Sequence, residues 1–280
     1  MTDQHKHGYL VGGEVHRAFI KPQHDKPWTA VQYAAVEVDD YEHVTDEDQQ
    51  PGKKTLAVCE GCIILGTHAD MKATADHLLA NPSQLETNEV MGSAIIGDRY
   101  RWKNGKIPFR IHPALRDQYR VYDAIKHWHE MTPIRLEPHS AGSDYVEFVP
   151  GSGCASAVGR QGGRQEIIVG PGCTTGNLIH EIGHTVGLWH EQSRIDRDAW
   201  VEILWSNMDP RYSHNFEQHI TDGIDLNYYD YGSIMHYPSN AFSRNGQPTI
   251  RPRRNGPEMG QRSGLSVGDI AAVRAICSRI

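Results

Sequence analysis

Apolar and polar positions fall into two regimes that meet near residue 93. Before residue 55 the chain is broken by polar and acidic runs. Asp39-Asp40-Tyr41-Glu42 and Thr45-Asp46-Glu47-Asp48 are followed by Pro51-Gly52. Charge blocks of this kind read as solvated loop. A short apolar stretch, Cys62-Ile63-Ile64-Leu65-Gly66, comes next. A short helix is predicted over about residues 70–79, and Asn81-Pro82-Ser83 breaks it. The expectation for residues 1–92 is a largely irregular segment.

From residue 93 the pattern is that of a compact domain, expected over 93–280. Ile107-Pro108-Phe109-Arg110-Ile111 alternates and predicts a strand. Leu115, Tyr119, Tyr122, Ile125 and Trp128 recur near helical spacing, which predicts an amphipathic helix across 114–131. Further strands are expected at 134–137, 145–149 and 166–169, with Gly and Ser between them. A second helix is expected over 174–187, with Thr174 or Thr175 as N-cap and Gly187 as its stop. Residues 190–262 are rich in Asn, Asp, Pro, Tyr and Gly and read as mostly irregular. A last helix closes the chain over 266–277, capped by Ser266 with Asp269 at its third position.

Composition narrows the function classes. Hydrophobic residues at 38% and charged residues at 22% suit a globular chain with a proper core. A net charge of -7 without any basic stripe argues against nucleic acid as a partner. No window approaches the ~20 apolar residues of a membrane span. Residues 1–20 lack the unbroken apolar stretch of a signal peptide. The five cysteines, Cys59, Cys62, Cys154, Cys173 and Cys277, leave at least one thiol outside any intramolecular disulfide.

One segment carries the chemistry: His180-Glu181-Ile182-Gly183-His184-Thr185-Val186-Gly187-Leu188-Trp189-His190-Glu191. Residues four apart share a helical face, so His180 and His184 can grip one metal ion. Glu181 lies one residue on, close enough to reach a water on the metal without being a ligand. Gly187 lets the backbone turn through positive φ and return His190 to the metal. Three imidazoles leave a fourth position open, as in a catalytic zinc site.

This H-E-x-x-H-x-x-G-x-x-H string resembles the metzincin signature, and Ser233-Ile234-Met235-His236-Tyr237 matches the clan's methionine turn. Glu191 after the third histidine and Tyr237 two residues after the Met resemble the astacin family in particular. Gly97-Asp98-Arg99-Tyr100-Arg101-Trp102, Phe242-Ser243 and Pro248-Thr249-Ile250 continue the likeness over about residues 93–277. The resemblance implies an α+β fold of two lobes: a twisted mixed sheet with two long helices above the cleft, and an irregular lower lobe ending in a helix. It implies a zinc-dependent endopeptidase acting on proteins or peptides by metal-activated water, with Zn2+ on His180, His184 and His190 and with Glu181 as general base. Tyr237 would be a mobile fifth ligand that helps stabilise the transition state, and buried Glu191 would engage the freed N-terminus of the mature enzyme. A secreted or extracellular monomer is expected.

The family's inhibitory prosegment carries Phe-x-Gly-Asp, whose Asp blocks the zinc. Here the corresponding stretch is Cys59-Glu60-Gly61-Cys62, so Cys62 stands where that Asp would be. A thiolate is an excellent zinc ligand, and the expectation is that Cys62 fills the open position in a latent precursor. Cys59 in that role, or two inert buried thiols, are the alternatives. Maturation would then cut near Met91-Gly92-Ser93. The family also implies a Cys154–Cys173 disulfide and a second one from Cys277, but Pro133 stands where that partner is expected. Cys277 is either free or paired with Cys59. Arg251, Arg253 and Arg254, beyond the Met-turn, are candidates for selecting an acidic residue after the scissile bond. Two rivals remain: a zinc-site binding module without turnover, and a hydrolase of small molecules.

Overall fold

The structure is a computed structural model that describes residues 8–10, 12–20, 29–44, 51–80, 94–218, 223–226, 228–254 and 258–278. The N-terminal region differs from the irregular segment expected. It forms four strands, β1 (Val15–Ile20), β2 (Thr29–Val44), β3 (Pro51–Cys59) and β4 (Ile63–Thr67), before the expected short helix, α1 (His68–Ala80). The reason lies in the charges that read as loop. Ala34, Val36, Val38 and Asp40 face inward along β2, while Glu37 is exposed, which is strand alternation. Asp39 lies opposite Lys53 on β3 at an ion-pair distance of 2.6 Å, and Asp40 reaches Lys54 diagonally across the two strands at 3.2 Å. Lys54 also reaches the carboxylate of Glu166 at 2.9 Å. Opposite charges brought together across two strands support pairing, so the acidic run is part of a strand. The second acidic run, residues 45–48, and the expected cleavage stretch, 91–93, lie outside the described residues.

The rest of the chain follows the predicted pattern, with β5 (Ala94–Ile95), β6 (Lys106–Ile111), α2 (Tyr119–Met131), β7 (Arg135–Pro138), β8 (Tyr145–Pro150), β9 (Cys154–Ser156) and β10 (Arg164–Val169). After these come α3 (Thr175–Val186), β11 (Val201–Ile203), β12 (Gly223–Ile224), β13 (Ile250–Pro252) and α4 (Val267–Cys277). The described strands form one nine-stranded mixed sheet in the order β1-β2-β3-β4-β9-β10-β8-β6-β7 and two small two-stranded ribbons. β6, β7, β8 and β10 are mutually parallel, and β9 turns back antiparallel along β10. β4 joins the other edge of β9 in parallel, through Ile63 opposite Ser156. The N-terminal region is thus stitched to the edge of the sheet that faces the cleft.

Two apolar clusters match the two lobes. The upper one packs α2 and α3 on the sheet around Trp128, Phe148, Ile167 and Leu178. Trp128 also donates its indole N–H to the Ile179 carbonyl at 3.0 Å, which fixes α2 against α3. The lower cluster joins Phe216, Tyr237, Phe242 and Ile250 to Tyr9, Tyr33, Val58 and Ile63 from the N-terminal region. Between residues 190 and 262 the described chain runs mostly through short 3-10 turns, as its composition suggests.

Capping sets the ends of α3 and α4. Thr174 accepts from the Asn177 N–H while the Asn177 side chain returns to the Thr174 N–H. Ser266 and Asp269 form the same reciprocal pair at α4. Asp269 goes further: its carboxylate accepts from Ser233 Oγ at 2.6 Å and from the Ile234 N–H at 2.9 Å. This ties α4 to the turn holding Met235.

A disulfide joins Cys154 in β9 to Cys173 just before α3, with Cα atoms 5.9 Å apart and a sequence separation of 19. Cys59 is buried in the lower cluster and Cys277 packs against the upper one, and no disulfide links them. Replacing Cys154 and Cys173 with Ser should lower unfolding stability by about 3 kcal/mol, from loop-closure entropy alone. Chemical denaturation checks this, and an unchanged midpoint would contradict it.

Candidate metal centre

α3 puts His180 and His184 one turn apart on its buried face. Gly187 then takes φ 119°, which ends the helix and sends the chain back through Leu188 and Trp189 to His190. A side chain at Gly183 is excluded for a different reason: a Cβ there would lie 2.7 Å from Met235 Sδ. The methionine turn therefore packs directly beneath the helix that carries the histidines.

The three Nε2 atoms and Cys62 Sγ lie within 4.8 Å of one another and could hold a metal ion. Cys62 Sγ is 3.4 Å from His184 Nε2, 3.4 Å from His190 Nε2 and 3.7 Å from His180 Nε2. His180 and His190 Nε2 are 3.2 Å apart. A tetrahedral zinc ion with bonds of about 2.05 Å to nitrogen and about 2.3 Å to sulfur requires edges of about 3.3 and 3.5 Å. The donor set fits that ion in both size and chemistry.

The outer ring nitrogens settle which tautomers are present. His180 Nδ1 donates to the Ile234 carbonyl at 2.8 Å, and His184 Nδ1 donates to the Leu188 carbonyl at 2.7 Å. A carbonyl only accepts, so both protons sit on Nδ1 and both Nε2 lone pairs face the centre. His190 Nδ1 pairs with the carboxylate of Glu60. Glu60 Oε1 also accepts from Ser193 Oγ at 2.6 Å. Glu60 is a residue the sequence reading passed over. Its only signal was a carboxylate standing inside the stretch that ends in Cys62.

Glu181 is buried beside the cluster, and its Oε2 has no hydrogen-bond partner among the described residues. Burial pushes its carboxyl well above the usual range, with the charge of Arg262 opposing. Burial likewise raises the Cys62 thiol and lowers His180 and His184. All four shifts are those of a dry pocket that disfavours charge until a cation is present.

Tyr237 is buried, its ring 4.7 Å from that of His190. Its hydroxyl donates to the backbone carbonyl of Glu60 at 2.5 Å. Glu191 lies below, accepting from the Asp230 N–H at 2.8 Å, and burial raises its carboxyl to about 8. Ala94 bridges to Leu188, and Leu188 and Glu191 line one cavity. Each of the three arginines has a partner within the domain. Arg251 pairs with Glu202, Arg253 Nε donates to the Asp198 carbonyl, and Arg254 covers the Trp200 ring.

The comparisons with known proteins agree with this geometry. The model of the astacin peptidase family matches residues 94–277. The zinc metalloproteinase nas-13 of Caenorhabditis elegans is 41% identical over 193 residues, 67% of this chain and 43% of that protein. Blastula protease 10 of Paracentrotus lividus is 36% identical over 224 residues, 72% of this chain and 38% of that protein. The chain thus spans less than half the length of these two relatives. Among solved structures, high choriolytic enzyme 1, a hatching enzyme zinc-protease from Oryzias latipes, is 33% identical with a TM-score of 0.62. That alignment covers 67% of this chain and 99% of that one. The buried histidine triad and the methionine turn beneath it fit the family whose model covers residues 94–277, and this chain belongs to it: the astacins.

Proposed function

We propose that the chain is the latent precursor of a zinc-dependent endopeptidase that hydrolyses peptide bonds in proteins. Residues 1–92 act as an inhibitory prosegment and 93–280 as the catalytic domain. His180, His184 and His190 hold Zn2+, and Cys62 takes the fourth position in the precursor. The observation that carries this reading is the meeting of Cys62 Sγ with three Nε2 atoms at tetrahedral spacing.

Bound zinc supplies a Lewis acid for the scissile carbonyl and makes water a stronger acid. The chain's own residues do the rest. Glu181, with a buried and uncommitted oxygen, accepts the proton of the attacking water and passes it to the leaving amine. Tyr237 donates its hydroxyl to the oxygen on which charge develops, once Glu60 no longer occupies it. The prosegment blocks two of these at once: Cys62 fills the metal's open position, and the Glu60 carbonyl takes the Tyr237 hydroxyl. Covering the metal with a thiolate also explains why a peptide threaded beside a peptidase site would survive.

Ala94, next to Leu188, puts the start of the catalytic domain a few residues from Glu191. A cut near Gly92 would free an N-terminus within reach of that carboxylate. The Cys154–Cys173 disulfide suits an oxidising compartment, and no helix among the described residues is long and apolar enough to cross a membrane. Secretion and a monomeric state complete the reading.

The direct test compares the zinc-loaded full chain with the same chain cut near Gly92, on unfolded protein. Activity is expected only after the cut and should vanish with a chelator. Activity in neither form, with zinc bound, would favour a binding module. Glu181→Gln in the cut enzyme should lose about 10²- to 10⁴-fold in kcat with zinc content unchanged. A fall in zinc content instead would make Glu181 a ligand. Cys62→Ala in the full chain should release measurable activity without any cut. If that variant is as silent as the unmodified precursor, Cys62 is not the latch.

A further inference from the structure

A second stretch of the N-terminal region reaches the same cleft, far from Cys62 in sequence. β9 uses one edge to pair with β10, which leaves the N–H groups of Cys154 and Ser156 on its other edge. The Ser156 N–H donates to the Cys62 carbonyl at 2.9 Å, and the Cys154 N–H donates to the Gly8 carbonyl at 2.6 Å. Leu10 closes the arrangement by donating its N–H to the Gly61 carbonyl at 2.6 Å. Residues 8–10 are therefore held by their main chain along a sheet edge, with the side chains of Tyr9 and Leu10 both buried in the lower cluster. This is how an extended peptide docks on an open edge: backbone bonds hold it and a pocket selects its side chain.

The pocket is aromatic. The Tyr9 ring stacks on Phe242 with centroids 4.9 Å apart and planes at 20°, and it lies 5.3 Å from the Tyr237 ring. Gly61 forms the facing wall, where a Cβ would come within 2.9 Å of Phe242 Cζ and 3.2 Å of Tyr9 Cδ1. Phe242 is itself held by the catalytic domain: Phe216 meets it edge-on at 6.0 Å, Tyr212 at 5.2 Å, and its carbonyl accepts from the Asp209 N–H at 3.0 Å. Removal of the N-terminal region takes away Tyr9 and Gly61 but leaves this wall standing beside Tyr237.

We propose that the slot between Phe242 and Tyr237 is a side-chain subsite of the mature enzyme that selects an aromatic residue in the substrate, with Phe242 as its specificity-determining residue. Tyr9 fills that slot in the precursor as a stand-in for the substrate. The proposal rests on the endopeptidase reading. A buried ring stacked on Phe242 should favour an aromatic over alanine by about ten- to a hundredfold.

Two measurements test it. The full chain, activated by limited proteolysis, is given a peptide mixture randomised at each position around the cut. Tyr, Phe or Trp should be enriched about tenfold over Ala at one fixed position, and Phe242→Ala should collapse that ratio. Cleavage without aromatic preference at any position overturns the proposal and leaves the endopeptidase reading intact. The second measurement needs no turnover. The full chain carrying Tyr9→Gly is titrated by NMR with acetyl-Gly-Tyr-Leu-amide and with acetyl-Gly-Ala-Leu-amide. The Tyr peptide should bind at least about tenfold more tightly, and the unmodified chain, whose slot is filled, should bind neither. Equal affinities would overturn the proposal, even in a protein that cleaves nothing.

Discussion

Three imidazole lone pairs and one sulfur face a common point inside this protein, and the structure around them is arranged to keep them there. Without a cation these groups would have at most one S–H proton to share among them, in a pocket that excludes water. Their orientation does not come from α3 alone. His180 depends on a carbonyl of the methionine turn, and His184 depends on the carbonyl of Leu188, just past the Gly187 reversal. His190 depends on Glu60, from the other end of the sequence. The capped start of α3, the packing of Gly183 on Met235 and the grip of Asp269 on the turn all serve the same four atoms.

The second constraint is the edge of the sheet. β9 is three residues long, and its outer edge would present unpaired N–H groups to the cleft. In this chain that edge is covered by the N-terminal region in two places, near Cys62 and near Gly8. The lower apolar cluster adds a further tie, because it includes side chains from both sides of the boundary near residue 93. The N-terminal region therefore does more than present a thiol. It shares a sheet, a core and two ligand contacts with the domain it covers.

Much of the centre was legible because it is local. The i, i+4 spacing of His180 and His184, the Gly187 stop and the Ser266–Asp269 cap each follow from a few adjacent residues, and each has its expected place. The two-lobed fold followed from resemblance. The N-terminal sheet did not emerge, because its charged residues are paired across strands and its alternation is only visible once Lys53 and Lys54 are brought against Asp39 and Asp40. β9 was too short and too close to glycines to signal itself. Glu60 and Tyr9 were invisible for the same reason as each other: their importance lies in contacts 130 or more residues away. No local pattern encodes such a contact.

The claim on which the rest depends is that a thiolate of the N-terminal region completes the metal's coordination. X-ray absorption at the zinc edge of the purified full chain tests it most directly. The structure predicts one sulfur at about 2.3 Å and three nitrogens at about 2.0–2.1 Å, with the sulfur lost in Cys62→Ala. A zinc shell containing only nitrogen and oxygen in the unmodified chain would contradict the account.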